Sequence, residues 1–527
     1  MQNQSLFGII VVALRAATLV FQSLVVGGIV FHRWIAGDST APRGERSPGI
    51  LLLRVSAAGL VGTQLLYIGI NSAVLMDSLG IGLSSVASAN FFVAGAVTII
   101  AAVAIAVTPS SKLARPGSGT MLLALVVMVC GVLGSHAISR MEDRIVLTAF
   151  TAVHQCATAV WIGGLPQLWL ALRGTSAEKA EVGQRFSRFA LWSVVALLGS
   201  GLAMAFRYID SPKAIYGTSY GIMLAVKVVF FAVLLAIGAC NRLLVRSPDR
   251  ARAKLLLRRL LEAEIGIGIT AILAAASLTS QPPAVDLKLG RVTAQEIYQR
   301  LRPTWPRLES PGLAAVSAST LQATKAAEQA GLPPPPAHPN TPGDIAWSEY
   351  NHHWAGIFVL LIGLLAMLAQ ARGRVRWWPL MLIALAAFIF LRADPEGWPL
   401  GPNSFWESIH QGEVLQHKLY ALLVVLFAIF EFRVQLGKAG KYAAYVFPVV
   451  CALGGALVLT HSHSLDNIKE QMLAELSHAP IAIAGVLAGW SRWLQLRLPE
   501  SDGGLVSRIW PVCFAVIGAV LLNYREA

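Results

Sequence analysis

The stretch YGIMLAVKVVFFAVLLAIGACNRLLV (220–245) carries one charged residue, Lys227, before the Asn-Arg pair that ends it. A helix of about 20 apolar residues crosses a hydrocarbon core of about 30 Å, and this run is longer than that. Similar runs fall near 6–31, 49–76, 90–107, 119–138, 145–172, 186–209 and 255–279, and again near 351–370, 377–392, 414–432, 442–460, 479–496 and 505–523. With 219–245 they make fourteen candidate transmembrane helices. The expected fold is therefore an all-α integral membrane protein: an eight-helix bundle over 1–280, a Pro-rich linker with short helices over 281–350, and a six-helix bundle over 351–527. No run has the ten-residue alternation of a membrane barrel, and only helices and closed barrels satisfy every backbone group in lipid.

Composition agrees. Hydrophobic residues make up 55% of the 527 and charged residues 13%, against about 25% charged in soluble domains; mean hydropathy is +0.62. The net charge of +14 would suggest nucleic acid in a soluble protein; here it reads as a topology signal, and no nucleic-acid partner is expected. Seven alternate connections carry 25 Lys and Arg, whereas the opposite short loops and termini carry 5 (Arg140, Arg144, Lys213, Lys469, Arg525). By the positive-inside rule the first set is cytoplasmic and both termini face outward. The opening segment lacks a basic leader region and reads as a retained helix. Cys130, Cys156, Cys240, Cys451 and Cys513 include no CxxC pair and read as small buried residues.

On this topology ten of the eleven histidines lie outward and only His32 faces the cytoplasm. In THSHSLDNIKEQMLAELSHAP (460–480), His461, His463 and His478 crowd one connection; His352 and His353 open the first helix of the second bundle; His410, Glu413 and His417 share a helical face at i, i+3, i+7. Imidazoles from four helices aimed at one layer suit metal ligation, with Glu407 adding a second carboxylate. Copper as Cu(I) or Cu(II) is the economical ligand. A haem b held by a pair such as His417 and His461 would instead make this half an electron carrier or metal reductase, and a di-metal oxygen-activating site is a third reading. The HExxH zinc-protease pattern does not occur.

In the first bundle HQCATAVWIGGLPQLWLAL (154–172) places His154, Thr158 and Trp161 on one face, and Gly163 and Gly164 allow a neighbouring helix close approach. His136 ends the preceding helix within reach of His154. Met128, Met141 and Met204 offer thioethers, donors that favour Cu(I). Lys227 and Glu264 fall at similar depth, and an intramembrane ionisable pair is a functional-site hypothesis by default. Arg15 and Glu262 are further candidates for a polar path.

HQCATAVWIGGL, RFSRFALWSVVALLGSGLAMAFRYI (185–209), the 220–245 helix and LRRLLEAEIGIGITAILAAASLTSQPP (257–283) together resemble the copper resistance protein D (CopD) family. The resemblance is closest over 140–283 and extends over 1–139. It implies a bacterial inner-membrane protein that moves copper from periplasm toward cytoplasm, often with a separate periplasmic CopC-type copper-binding partner. Transport rather than catalysis is thus the expected function.

Overall fold

The computed structural model describes residues 2–36, 47–140, 142–173, 178–247, 250–288, 290–312, 342–372, 376–395, 397–460 and 468–526. All regular structure among them is helical. Two compact units form: Met1–Arg291 with Leu459–Ile468, and Val292–Val458 with Lys469–Ala527. The chain passes from one to the other within the stretch read as a linker, whose proline run at 333–336 lies outside the described residues.

The longer helices of the first unit are α1 (Gln2–Val30), α2 (Pro48–Leu79), α3 (Asn90–Val107), α4 (Ser118–Leu133), α5 (Arg144–Trp161), α6 (Leu165–Ala171), α7 (Glu178–Tyr208), α8 (Ser219–Val245) and α9 (Arg250–Ser280). Local chemistry sets several of the boundaries. Pro48 starts α2, and Gly80, at φ +62°, ends it in the left-handed conformation that glycine adopts freely. Thr218 caps α8 by accepting the Gly221 N–H at 3.1 Å. The Gly163-Gly164 turn and Pro166 separate α6 from α5.

Helix α1 is the axis of this unit, packing on α2, α4, α5 and α9. Its tightest contact is made of backbone. A methyl on Gly27 would stand 2.1 Å from the Ala159 carbonyl oxygen, and one on Gly163 would stand 1.9 Å from that of Ser23. Around this seam Val25, Val26, Ile29, Ile50, Leu53, Ala57, Ala102 and Val127 form the apolar core.

The second unit contains α10 (Ala294–Leu301), α11 (Pro342–Arg372), α12 (Met381–Arg392), α13 (Gly412–Gln435), α14 (Val446–Val458), α15 (Ile468–Arg497) and α16 (Glu500–Leu522). Helices α11 and α16 pack closely where Gly518 meets the Leu360 backbone, a methyl there lying 2.4 Å from its nitrogen. Trp378, Phe447 and Trp510 fill the core beside them.

Eleven helices among the described residues are long and apolar enough to span a membrane, so the protein is multi-pass. Three of the fourteen expected spans are shorter: Ser118–Leu133, Trp378–Arg392 and Ala443–Val458. A 16-residue helix such as α4 rises only about 24 Å, short of the roughly 30 Å core unless the bilayer thins or the flanking turns fill the difference. The apolar runs in the sequence continue past the helix ends into turns, which is why they suggested longer elements. Cys156 and Cys240, expected to be buried, are exposed on helix surfaces, where a thiol is as acceptable to lipid as an alanine.

Gly163→Ala should lower unfolding stability in detergent by about 1–3 kcal/mol, because the α1 backbone cannot yield to the new methyl. Gly62, which has open space around its Cβ position, provides the control: Gly62→Ala should be neutral or slightly stabilising. Equal thermal midpoints for the two variants would show that the seam does not hold the unit together.

Candidate functional site: a polar cavity in the first unit

Helices α1 to α5 and α7 to α9 line a cavity of about 650 Å³ whose walls are mainly apolar. Polar side chains enter it in successive layers. At the mouth, Arg15 donates to the Gly134 carbonyl at 3.3 Å, and the Tyr208 and Tyr220 rings meet at 6.0 Å. The mouth is braced by ion pairs: Arg140 grips Asp286 through two hydrogen bonds of 2.9 and 3.1 Å, Arg291 binds Asp210 at 2.8 Å, and Arg207 pairs with Asp143. The Asp286 carboxylate holds the Arg140 proton more firmly than usual, and Arg291 keeps the Asp210 carboxyl below the ordinary carboxylate range.

One layer deeper, Thr151 of α5 donates to the Met204 thioether of α7 at 3.5 Å. About one turn below that, His154 Nδ1 lies 3.1 Å from Ser200 Oγ. The Ser200 hydroxyl is also 2.6 Å from the Ala196 carbonyl, to which it donates, so it accepts the His154 Nδ1–H. That fixes the tautomer and leaves the Nε2 lone pair facing Lys227 Nζ at 3.4 Å. Across the cavity Gln22 of α1 donates to Gln155 at 3.4 Å and to the Met128 sulfur at 3.5 Å.

Trp161 forms part of the lining, and its indole N–H donates to Glu264 Oε1 at 2.9 Å. The other Glu264 oxygen accepts from Asn241 at 2.5 Å. Glu264 is 2% exposed, so this carboxylate is buried with both oxygens bonded.

The sequence-derived candidates thus separate. His154, Met204, Lys227, Arg15 and Met128 meet in or beside one cavity, and Glu264 lies behind its Trp161 wall. Lys227 and Glu264, expected as a possible pair, take different partners: His154 for the lysine, Trp161 and Asn241 for the carboxylate. Glu262 pairs with Arg259 at 2.9 Å. His136 opens a short helix, His136–Ser139. Ser200, Asn241, Gln22 and Gln155 were missed. Each is a polar residue inside an apolar helix, a signal present in the sequence but shared by many packing residues.

In the second unit the histidines expected to face outward do not form one cluster among the described residues. His353 is 4% exposed with both ring nitrogens engaged by backbone: Nδ1 accepts the Arg307 N–H at 2.7 Å, and Nε2 is 2.9 Å from the Tyr524 carbonyl. This joins α11 to the segments before and after it rather than leaving a lone pair for a metal. His352 binds the Ser348 carbonyl at 2.8 Å and stacks on Tyr524. His410 binds the Trp406 carbonyl at 2.6 Å. His417 Nδ1 is held by Asp394 at 2.7 Å, the carboxylate–imidazole arrangement that orients metal ligands. Glu413 lies in the first turn of α13 and His478 within α15; His461 and His463 lie outside the described residues, so the proposed haem pair has only one described member. Among the described residues no three His, Cys, Asp or Glu side chains converge on a metal-sized site.

Residues 180–278 match the family model of copper resistance protein D. The match covers α7, α8 and most of α9, and so contributes Ser200, Met204, Lys227, Asn241 and Glu264, while His154 precedes it. A similar curated protein is the copper transport protein CutJ of Bacillus subtilis (strain 168), 29% identical over 286 residues. That alignment takes in 51% of this chain and 52% of CutJ, so the chain spans about half the length of the relative it matches. No solved structure matches.

Asn241→Leu should strand one buried oxygen of Glu264 and lower stability by about 1–3 kcal/mol. Adding Glu264→Leu should recover part of that loss, since the stranded carboxylate is removed, and the recovery stays incomplete because the Trp161 indole N–H then loses its acceptor. A double-mutant cycle on thermal unfolding that gave simple additivity would show that the two side chains do not interact.

Proposed function

We propose that the protein is a copper transporter of the bacterial cytoplasmic membrane that takes copper from the outward side toward the cytoplasm through the cavity of the first unit. The observation that carries this reading is the alignment of donors along α5 and α7. On α7 a thioether, Met204, lies one turn nearer the mouth than Ser200, the partner of the His154 imidazole. Sulfur and imidazole donors suit Cu(I) better than harder ions. The match of α7 to α9 to copper resistance protein D and the likeness to a copper transport protein support the same cargo.

In this reading the Ser200 hydroxyl is a positioning group. It holds the Nδ1–H so that Nε2 is the ligand, and the ion replaces Lys227 at that lone pair. Transit requires binding strong enough to enter and weak enough to leave, and a neighbouring ammonium that competes for the same lone pair serves the second requirement. The second unit contributes outward capture through His417, oriented by Asp394, with His410, Glu413, His461, His463 and His478 as further proposed capture ligands. A separate periplasmic CopC-type protein would deliver the ion. Haem b in the second unit is the alternative, and a Soret band in the purified protein would decide for it.

Cells expressing His154→Ala at wild-type abundance should accumulate no more copper than cells lacking the protein, measured by elemental analysis. Ser200→Ala should weaken Cu(I) binding about 10–100-fold, as loss of an orienting hydrogen bond does at other metal sites, while Ser200→Thr should restore it. Unchanged copper accumulation in well-expressed His154→Ala would remove the cavity from the transport path.

A further inference from the structure

The two carboxylates of α9 are held in opposite ways. Glu262 pairs with the Arg259 guanidinium at 2.9 Å, which keeps it charged. Glu264, two residues on, is 2% exposed and has no ion-pair partner among the described residues. Its two bonds come from neutral groups, the Trp161 indole and the Asn241 amide. An ionised carboxylate in an apolar interior with no counter-charge is so costly that such a group takes up a proton instead.

The partners suit both protonation states. The Trp161 N–H can donate to a carboxylate oxygen or to the carbonyl oxygen of the neutral acid. Asn241 is itself 7% exposed, and its Oδ1 has no hydrogen-bond partner among the described residues. Its Nδ2 donates to the ionised form; turned about its terminal bond, the same amide presents Oδ1 and accepts the O–H of the acid. Basic groups on the helices packed against α9, and on α9 itself, are engaged elsewhere. Lys227 bonds His154, Arg242 bonds Ser187, and Arg258 lies over the Trp169 ring of α6. In the turn that ends α1, His32 packs beside Gln167 against Gly49.

Glu264 also stands at the inner limit of the cavity. The last lining residues on that side are Leu234 of α8 and Gly268 of α9, and Glu264 lies one turn beyond Gly268. Trp161 separates it from the lumen, seven residues or about 10 Å along α5 from His154. On its other side, Asn241 is four residues from the inner end of α8. We infer that Glu264 is a proton-binding site linked to the cavity, an acid while the cavity is empty and a carboxylate while Cu(I) is held at His154. This rests on the transport reading above. The exchange balances: one Cu(I) binds, the Glu264 O–H bond breaks, and one proton leaves on the Asn241 side, so the net charge inside the apolar unit is unchanged. Without it, the ion would join the Lys227 ammonium in a low-dielectric enclosure with no negative charge to offset either.

The test loads the full-length protein in lipid nanodiscs with Cu(I), added as its acetonitrile complex, which carries no titratable ligand. Released protons are counted with a pH indicator, and the infrared difference spectrum between loaded and empty protein is recorded. Wild type should release about one proton more per copper than Glu264→Gln, so its Cu(I) affinity should rise by up to about tenfold more per pH unit. The spectrum should show loss of a protonated carboxyl C=O band in wild type and no such loss in Glu264→Gln, which keeps an acceptor for Trp161 and still binds copper. Trp161→Phe, which removes the N–H from that oxygen, should shift the wild-type band to higher frequency, an assignment that holds even where Glu264→Gln does not fold. Equal proton release in wild type and Glu264→Gln, or a band absent from wild type or unmoved by Trp161→Phe, overturns the proton site while leaving the copper reading intact. A wild type with no Cu(I) binding overturns the cavity reading, and the proton linkage falls with it.

Discussion

The contact between α1 and the α5–α6 turn determines the arrangement of the first unit. At Gly27 and Gly163 the two backbones touch with no side chain between them. In lipid, where apolar side chains gain little by leaving one apolar phase for another, such close packing is a principal source of helix association. The seam fixes the rotation of both segments about their axes. Once it is set, Gln22 and His154 must turn toward the cavity, while His32 and Gln167 emerge beyond the seam. A larger residue at either glycine would separate all four.

The cavity follows from that arrangement and from the expense of polar groups in a membrane. Several polar side chains reaching it have partners on neighbouring helices: Thr151 with Met204, His154 with Ser200 and Lys227, Gln22 with Gln155, and Trp161 with Glu264. These bonds keep the walls ordered while leaving soft donors within the ladder. The bond between Asn241 and Glu264 allows a carboxylate to lie behind the Trp161 wall at a depth where an unpaired one would be strongly disfavoured. The electrostatics of the cavity therefore come from a few paired groups in an otherwise apolar enclosure.

Much of this was legible in the sequence because lipid imposes a simple rule. Apolar runs mark helices, and the helices lie where the runs predicted, apart from three too short by length to span alone. His154 and Trp161 on one face, and the close-packing role of Gly163, followed from spacing. What spacing could not reveal was partnership across helices. Lys227 and Glu264 share a depth but face different neighbours, because depth constrains position along an axis and says nothing of rotation about it. His353 looked like a ligand beside His352, yet both its nitrogens are taken by backbone groups from residues 307 and 524, contacts that no local pattern encodes. Asp394, 23 residues before His417, was invisible for the same reason.

The central claim is that copper is held by the His154 imidazole with a thioether beside it. X-ray absorption at the copper K-edge on the Cu(I)-loaded protein in lipid nanodiscs tests this most directly. The account predicts imidazole scattering together with a sulfur shell, the imidazole contribution falling in His154→Ala and the sulfur contribution in Met204→Leu. A first shell of oxygen alone, or a spectrum unchanged by both substitutions, would contradict it.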